Sequence, residues 1–247
     1  MQSPVALVGS GEFLDVMNEV DLELLKGRPP RAVFLPTAAG QEGDERVEYW
    51  LELGRDHYEK LGVEAVPLRV LNRDDAAKPE FASQIAGAGL IYLSGGSPRY
   101  LAETLRGTLI WKAILEAFAN GSALAGCSAG ACALSAVAGG FRDPEHYSGA
   151  GLGVIAHLAV IPHFDRFEAR APGLARDFAA RAPAGIAVVG VDEETALVGG
   201  PEHFQVMGRR SAWWIGADGR RVELASGEHV VLAPGEPPRW DAIESRP

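Results

Sequence analysis

The stretch Ala123-Leu-Ala-Gly-Cys-Ser-Ala-Gly-Ala-Cys-Ala-Leu-Ser135 places one serine between two glycines. Gly126 and Gly130 flank Ser128 in a Gly-x-Ser-x-Gly pattern, with an apolar run before it and an alanine-rich run of helical character after it. This context predicts a nucleophile elbow, a sharp strand-to-helix turn that exposes a reactive hydroxyl. The flanking positions must be small because the strained turn brings the chain close to itself. The helix that follows would direct its N–H groups and positive end at the serine, where an oxyanion forms.

The neighbouring cysteine does not fit the same frame. An elbow centred on Cys127 would need glycine at positions 125 and 129, and both are alanine. Cys127 and Cys132 are therefore predicted to be small buried side chains, the usual fate of a free cysteine. Small-residue turns between a strand and a helix also arise for packing alone, so the sequence leaves that alternative open for Ser128.

Composition limits the class of protein. With 247 residues, 47% of them hydrophobic, the chain can bury a substantial core, and we expect a single α/β hydrolase-type domain over residues 1–247. The two cysteines lie five residues apart and have no metal-type spacing, which fits a reducing compartment. No signal-type start and no run of eighteen apolar residues is present, so we expect a cytoplasmic protein. A net charge of −10 argues against nucleic-acid or membrane partners.

Apolar runs alternate with helical patterns along most of the chain. Residues 44–61 and 98–120 have helical spacing, the second range as two segments closed by Gly121. The alternation predicts a three-layer, doubly wound and mostly parallel sheet, whose sites lie at the carboxyl ends of its strands. From about residue 196 to 247, short strands and an Asp218-Gly219 hairpin predict antiparallel strands at the edge. Besides the run before Ser128, the predicted strands are residues 5–8, 31–36, 63–70, 89–93, 157–162 and 185–191.

The first strand ends in Gly9-Ser10-Gly11, which begins like a dinucleotide-binding fingerprint. The third glycine of that pattern would fall at position 14, which is leucine. We therefore predict a plain strand-to-helix turn there.

A catalytic serine needs a base, and the base needs a partner that fixes its tautomer. His163 follows the apolar strand 157–162, where its side chain can reach the crevice over the elbow. The residues leave three acids open: Glu193 after a strand end, Asp143 in the loop beyond the serine, and Asp165 close to the histidine.

Four blocks of the chain together resemble a known family. Residues 93–97 (Leu-Ser-Gly-Gly-Ser), 126–131 (Gly-Cys-Ser-Ala-Gly-Ala), 161–165 (Ile-Pro-His-Phe-Asp) and 191–196 (Val-Asp-Glu-Glu-Thr-Ala) are similar to the signature blocks of the dipeptidase E and cyanophycinase family of serine peptidases. The resemblance implies a class I glutamine amidotransferase-like fold with serine replacing cysteine. It implies Ser128 as nucleophile, His163 as base and Glu193 as orienting acid. It also implies an oxyanion hole formed by the backbone N–H groups of Gly96 and Ala129.

The segment that follows the paired glycines, Ser97-Pro98-Arg99, differs from the family's usual residues, so side-chain specificity stays open. In a negatively charged protein an acidic substrate needs a local positive field, and a guanidinium suits a carboxylate. We expect Arg99, Arg166 and Arg170 to bind substrate, which would be a short peptide with an acidic N-terminal residue.

Other functions stay open at the level of sequence. They are a cyanophycinase-like β-aspartyl peptidase, a glutamine-amidotransferase-like amide hydrolase, and a catalytically silent module that binds small peptides. No metal or organic cofactor is required by the serine mechanism. The resemblance permits a monomer or a homodimer.

Overall fold

The computed structural model describes residues 3–139 and 150–241. Its strands, in chain order, are β1 (Val5–Val8), β2 (Arg31–Leu35), β3 (Glu64–Pro67), β4 (Leu90–Leu93), β5 (Ala123–Cys127), β6 (Leu158–Ile161), β7 (Ala187–Val191), β8 (Thr195–Gly199), β9 (His203–Gly208), β10 (Ala212–Ile215), β11 (Arg221–Leu224), β12 (His229–Val231) and β13 (Arg239–Trp240). Its helices are α1 (Asn18–Leu25), α2 (Asp44–Lys60), α3 (Arg73–Ala76), α4 (Pro79–Ser83), α5 (Pro98–Leu105), α6 (Leu109–Ala119), α7 (Ala129–Leu134), α8 (Phe164–Arg170) and α9 (Leu174–Arg181).

A nine-stranded sheet forms the centre, in the order β13-β12-β9-β8-β1-β5-β4-β2-β3. The five strands from β1 to β3 in that order are parallel, and the four on the other side of β1 pair antiparallel. This confirms the predicted mixed α/β class with a parallel sheet and C-terminal antiparallel strands. Strand β8 pairs directly with β1. The antiparallel strands β8, β9, β12 and β13 therefore continue the sheet from β1 to one of its two edges.

Helices cover both faces of the central sheet, because its strands are apolar on both sides. One core joins the sheet to α5, α6 and α7 through residues such as Leu101, Ile114 and Leu134. The other joins it to α1 and α2 through residues such as Leu24 and Tyr58. The sheet and these two helical layers form the predicted three-layer architecture.

A second sheet, absent from the sequence expectation, has four strands in the order β11-β10-β7-β6. Strands β6 and β7 are parallel, and β10 pairs antiparallel with β7 and β11. The β10–β11 pairing confirms the hairpin predicted at Asp218-Gly219. Helices α8 and α9 pack on this sheet through Phe164 and Phe178.

One predicted strand, at an edge of the central sheet, is shorter in the structure than in the sequence prediction. The strand expected over residues 63–70 is paired only over Glu64–Pro67, because β3 is an edge strand and proline has no N–H for a ladder. The two helices expected over residues 98–120 are α5 and α6, and Gly121 follows with a φ of 109°, as a glycine cap requires. Within the described ranges no helix is both long enough and apolar enough to cross a membrane.

The glycines around Ser128 are required by close packing. A Cβ added at Gly126 would lie 2.4 Å from the carbonyl carbon of Gly130, and one at Gly130 would lie 2.2 Å from the carbonyl oxygen of Leu93. Side-chain carbons do not approach backbone atoms this closely, so both positions admit only glycine without a shift of the chain.

We expect Gly126→Ala to lower the free energy of unfolding by about 1–3 kcal/mol, the usual cost of forcing an extra carbon into a packed interior. Gly139→Ala is the matched control, because a Cβ there meets no atom of the described residues within 4 Å. Urea unfolding followed by circular dichroism measures both variants. Equal stability of the two would contradict the packing argument.

Candidate active site

Ser128 occupies the sharp turn that the sequence predicts. Its backbone has a φ of 50° and a ψ of −106° at the junction of β5 and α7, a conformation that L-residues rarely adopt. The N–H of Ser128 donates to the carbonyl of Val8 at 2.9 Å, which fixes the turn to the central strand β1. The side chain is partly exposed at the carboxyl ends of the parallel strands.

His163 reaches the serine from the second sheet. It lies just beyond β6 as the residue that caps α8, with a left-handed backbone at φ 50° and ψ 40°. Its Nε2 is 3.0 Å from Oγ of Ser128. This is hydrogen-bonding distance, so the imidazole can take the hydroxyl proton.

Glu193 completes a chain of three side chains. Its Oε1 is 2.9 Å from Nδ1 of His163, and its side chain is 17% exposed. A carboxylate on Nδ1 requires a proton there, which leaves Nε2 free to accept from the serine. The alternative acid Asp143 lies outside the described residues.

The carboxylate of Glu193 is itself held in place. Arg166 forms an ion pair with it, Nε to Oε2 at 2.6 Å, and the backbone N–H of Glu193 donates to Oδ1 of Asp165 at 3.1 Å. The other oxygen of Asp165 accepts from Arg210 at 2.7 Å. Asp165, which the sequence left open as a triad acid, therefore supports Glu193 and does not contact His163 through its side chain.

The residues on either side of Glu193 are also held. Asp192 accepts from Trp213 Nε1, 3.2 Å from each carboxylate oxygen, and burial raises the pKa of Asp192. Glu194 has a φ of 57° and pairs with Arg209 at 2.7 Å. Contacts with β10 and with the β9–β10 turn therefore hold the segment that carries Glu193, and its local sequence does not show them.

The arginines expected to bind substrate occupy different places. Of the three, only Arg166 contacts one of the three aligned side chains in the described part of the molecule. Arg99 pairs with Glu103 one turn along α5, at 2.7 Å. Arg170 is exposed at the last position of α8. Arg166 and Arg170 thus lie one turn apart on α8, and Arg99 belongs to a different helix, α5.

The two backbone segments expected to form the oxyanion hole lie beside Ser128. Gly96 has a φ of 139°, and a Cβ there would be 2.4 Å from the carbonyl carbon and oxygen of Ala38. A Cβ added to the preceding Gly95 would lie 3.7 Å from Cβ of Ser128. Ala129 is the first residue of α7, so its N–H has no acceptor within the helix.

Strained backbone is concentrated at this place. In the described ranges the non-glycine residues with positive φ are Phe13, Ser128, His163 and Glu194. Two of them belong to the aligned side chains and one follows Glu193 directly. Such conformations cost about 1–3 kcal/mol each and persist at functional sites.

Cys127 is fully buried, and burial is the main reason why the pKa of its thiol is raised well above the ordinary value. A protonated, inaccessible thiol is a poor nucleophile. Cys132 is equally buried, so the prediction that both cysteines are small buried side chains is confirmed. Among the described residues, no three histidine, cysteine, aspartate or glutamate side chains converge as metal ligands would.

Comparison with solved structures identifies proteins of the same shape. A peptidase from an acI-B1 Actinobacterium is 40% identical, with a TM-score of 0.85 over 94% of this chain and 98% of that one. A candidate Peptidase E protein from Listeria monocytogenes EGD-e has a TM-score of 0.57 at 17% identity, covering 91% of this chain and 99% of the other. That second likeness supports the fold alone.

Sequence comparison gives the family. An uncharacterized peptidase from Listeria innocua is 35% identical over 98 residues, which are 40% of this chain and 44% of that protein's length. The model of peptidase family S51 matches residues 5–207, a range that includes Ser128, His163 and Glu193. The chain thus belongs to peptidase family S51 and is a serine-type peptidase of the dipeptidase E kind.

Proposed function

We propose that the protein hydrolyses short peptides through an acyl-enzyme formed on Ser128, with His163 as general base and Glu193 as the acid that orients it. One observation carries the proposal: the contacts from Ser128 Oγ to His163 Nε2, at 3.0 Å, and from His163 Nδ1 to Glu193 Oε1, at 2.9 Å, form an unbroken chain. Each side chain comes from a different segment, so no local packing requirement explains their alignment.

The proposed reaction has two halves. Oγ of Ser128 attacks the scissile carbonyl carbon while its proton passes to Nε2 of His163. The tetrahedral intermediate collapses, the C–N bond breaks, and the imidazolium returns the proton to the leaving amine. A water molecule then attacks the acyl-enzyme with the same histidine as base, and the acid product leaves with Oγ protonated again.

Two further groups act on charge during these steps. Glu193 stabilises the imidazolium that forms on His163, and Arg166 holds the second oxygen of Glu193 so that the first points at Nδ1. The backbone N–H groups of Gly96 and Ala129 donate to the oxygen that becomes negative in the tetrahedral intermediate. Donors of this kind contribute most in the transition state.

For the substrate, we propose a short peptide with an acidic residue at or near its N-terminus. Arg166 supports this because it lies beside the catalytic histidine while its side chain stays 61% exposed. Its Nε forms the ion pair with Glu193, and a guanidinium has further N–H donors that suit a second carboxylate. Arg99, in the first turn of α5, is paired with Glu103, and Arg170 lies at the end of α8, so Arg166 is the arginine that we propose as the carboxylate partner.

A hydrolase of side-chain amides in the manner of glutamine amidotransferases would use a cysteine nucleophile. The burial of Cys127 and its raised pKa disfavour that alternative. A β-aspartyl peptidase would share the serine mechanism and differ only in how the acidic residue is presented. The comparison of Asp-X with isoAsp-X below distinguishes cleavage of an α-aspartyl bond from cleavage of a β-aspartyl bond.

The identity of the nucleophile is tested by replacing Ser128 and Cys127 separately. We expect Ser128→Ala to reduce peptide hydrolysis by about 10⁴-fold or more, because loss of the nucleophile removes the covalent route. Cys127→Ala should keep far more activity than Ser128→Ala, because the buried thiol is not the nucleophile. Labelling of Ser128 by a fluorophosphonate, located by mass spectrometry, provides an independent readout. An inactive Cys127→Ala beside an active Ser128→Ala would replace the serine mechanism with a cysteine one.

The acid is tested by an isosteric change. We expect Glu193→Gln to lower kcat by about 10²- to 10⁴-fold, because an amide neither fixes the tautomer nor stabilises the imidazolium. Single-turnover kinetics measure the loss at saturating substrate. Asp143→Asn is the comparison variant. A nearly silent Glu193→Gln together with an impaired Asp143→Asn would assign the acid to residue 143.

Specificity is tested with the dipeptides Asp-X, Glu-X, isoAsp-X, Ala-X and Lys-X. Arg166→Ala should lower the hydrolysis rate of every dipeptide, because Glu193 loses its ion pair. It should lower the rate for Asp-X by about a further 10- to 150-fold, because a charge-assisted hydrogen bond contributes roughly 1.5–3 kcal/mol. Arg176→Ala is the control, since that exposed arginine pairs with its neighbour Asp177 on α9. The ratio of Asp-X to Ala-X in kcat/KM separates the two effects. An unchanged ratio in Arg166→Ala would rule out this account of specificity and leave the mechanism standing.

A further inference from the structure

Glu12 is a buried carboxyl group that the triad does not use. It follows Gly11 in the loop after β1 and is only 5% exposed. Removing a carboxylate from water is strongly unfavourable unless hydrogen bonds compensate for the lost hydration. Glu12 therefore needs hydrogen-bond donors, and the donors that it has lie in the candidate active site.

The two oxygens of Glu12 join two segments of the site. Oε1 accepts from the backbone N–H of Gly95 at 3.0 Å, and Oε2 accepts from the thiol of Cys127 at 2.7 Å. Gly95 directly precedes Gly96, whose N–H belongs to the proposed oxyanion hole. Cys127 directly precedes the proposed nucleophile, Ser128. One side chain thus links the residue before each of these two groups.

The link lies close to the serine. A Cβ added at Gly95 would be 3.1 Å from Oε1 of Glu12 and 3.7 Å from Cβ of Ser128. The absence of a side chain at Gly95 therefore leaves room for the carboxylate and the nucleophile on the same side of the turn. The opposite side of the turn is held by backbone bonds, from Ser94 to Leu35 at 3.2 Å and from Ser97 to Ala38 at 2.8 Å.

The thiol is suited to be a permanent donor. Burial raises the pKa of Cys127, and the nearby negative charge of Glu12 raises it further. The S–H proton therefore stays in place at neutral pH, and the bond to Glu12 persists through the reaction. Cys127 is thus explained as the second anchor of a carboxylate, which the sequence alone gave no reason to expect.

From these contacts we infer that Glu12 is a positioning residue, which fixes the Gly95-Gly96 turn relative to Ser128 so that the N–H of Gly96 points at the developing oxyanion. The inference rests on the proposed acyl-transfer function. An oxyanion donor must lie about 2.7–3.1 Å from the oxygen of the tetrahedral intermediate. A misplacement of about 1 Å can lower the rate by about 10²-fold. Glu12 itself contacts no reacting atom.

The test uses two reagents that need no knowledge of the peptide substrate. An alkyl fluorophosphonate measures the rate at which Ser128 is labelled, and an alkyl boronic acid measures affinity for a tetrahedral adduct in the oxyanion hole. Glu12→Ala should lower both by about 10- to 100-fold per folded molecule, which is less than the 10²–10³ for complete loss of an oxyanion donor. Glu12→Gln keeps an oxygen for Gly95 and should restore both to within about threefold of wild type.

Asp21→Ala is the matched control for stability. Asp21 is also a buried carboxyl, 2% exposed, and is bonded to His57 at 2.7 Å, but this pair lies between α1 and α2. The control should lose thermal stability and keep normal labelling and boronate affinity per folded molecule. If Glu12→Ala does not fold, Glu12→Asp replaces it, because a side chain one carbon shorter cannot reach both partners and should show the same loss.

The outcomes distinguish failure of the proposed acyl-transfer function from failure of the positioning role of Glu12. A wild-type protein that is never labelled would overturn the proposed function and this role of Glu12 with it. A labelled wild type with equally labelled Glu12→Ala or Glu12→Asp would overturn the role of Glu12 alone. A Glu12→Gln variant as impaired as Glu12→Ala would also overturn it, because the oxygen facing Gly95 would then not be what matters.

Discussion

The position of β1 between β5 and β8 is the constraint on which the site depends. Val8, its last residue, is opposite Cys127 of the parallel strand β5 and opposite Ala196 of the antiparallel strand β8. Ser128 therefore leaves the sheet on one side of β1, and Glu193 enters it on the other side. Two strand spacings amount to about 10 Å, a gap that a hydrogen-bonded imidazole with its two nitrogens can bridge.

The second sheet brings that imidazole into the gap. Ile161 of β6 is opposite Gly190 of β7 in parallel pairing, so His163 and Glu193 emerge from neighbouring strands at the same edge. The chain then crosses from β7 to β8, and the N–H of Glu194 donates to Ser10 beyond β1 at 3.1 Å. Glu193 thus lies at the point where one sheet connects to the other. Backbone pairing therefore places His163 and Glu193 at the same edge.

Holding three acids and strained turns in one place carries a cost that the surrounding residues offset. Asp165, Glu193 and Glu194 are each paired with an arginine, in the order Arg210, Arg166 and Arg209. Without these partners the carboxylates would repel one another and resist partial burial. Exposed ion pairs contribute little to overall stability, so their main effect here is to orient the groups. Glu12, by contrast, is bonded to the N–H of Gly95 and the thiol of Cys127.

Local sterics made the serine turn and the mixed α/β class predictable from the sequence. Gly126 is crowded by Gly130 within the turn itself, the Gly-x-Ser-x-Gly pattern shows both glycines, and the buried parallel strands appear as continuous apolar runs. That Leu93 of β4 is what crowds Gly130 is known only from the structure. His163 could be selected because a strand end is visible in the sequence as the point where an apolar run stops. Only the tertiary structure decided that β6 and β7 form a separate sheet, that Arg166 pairs with Glu193, and that Glu12 joins Gly95 to Cys127. Most of these contacts join residues far apart in the chain, and they depend on strand order and packing, which no local pattern of residue types encodes.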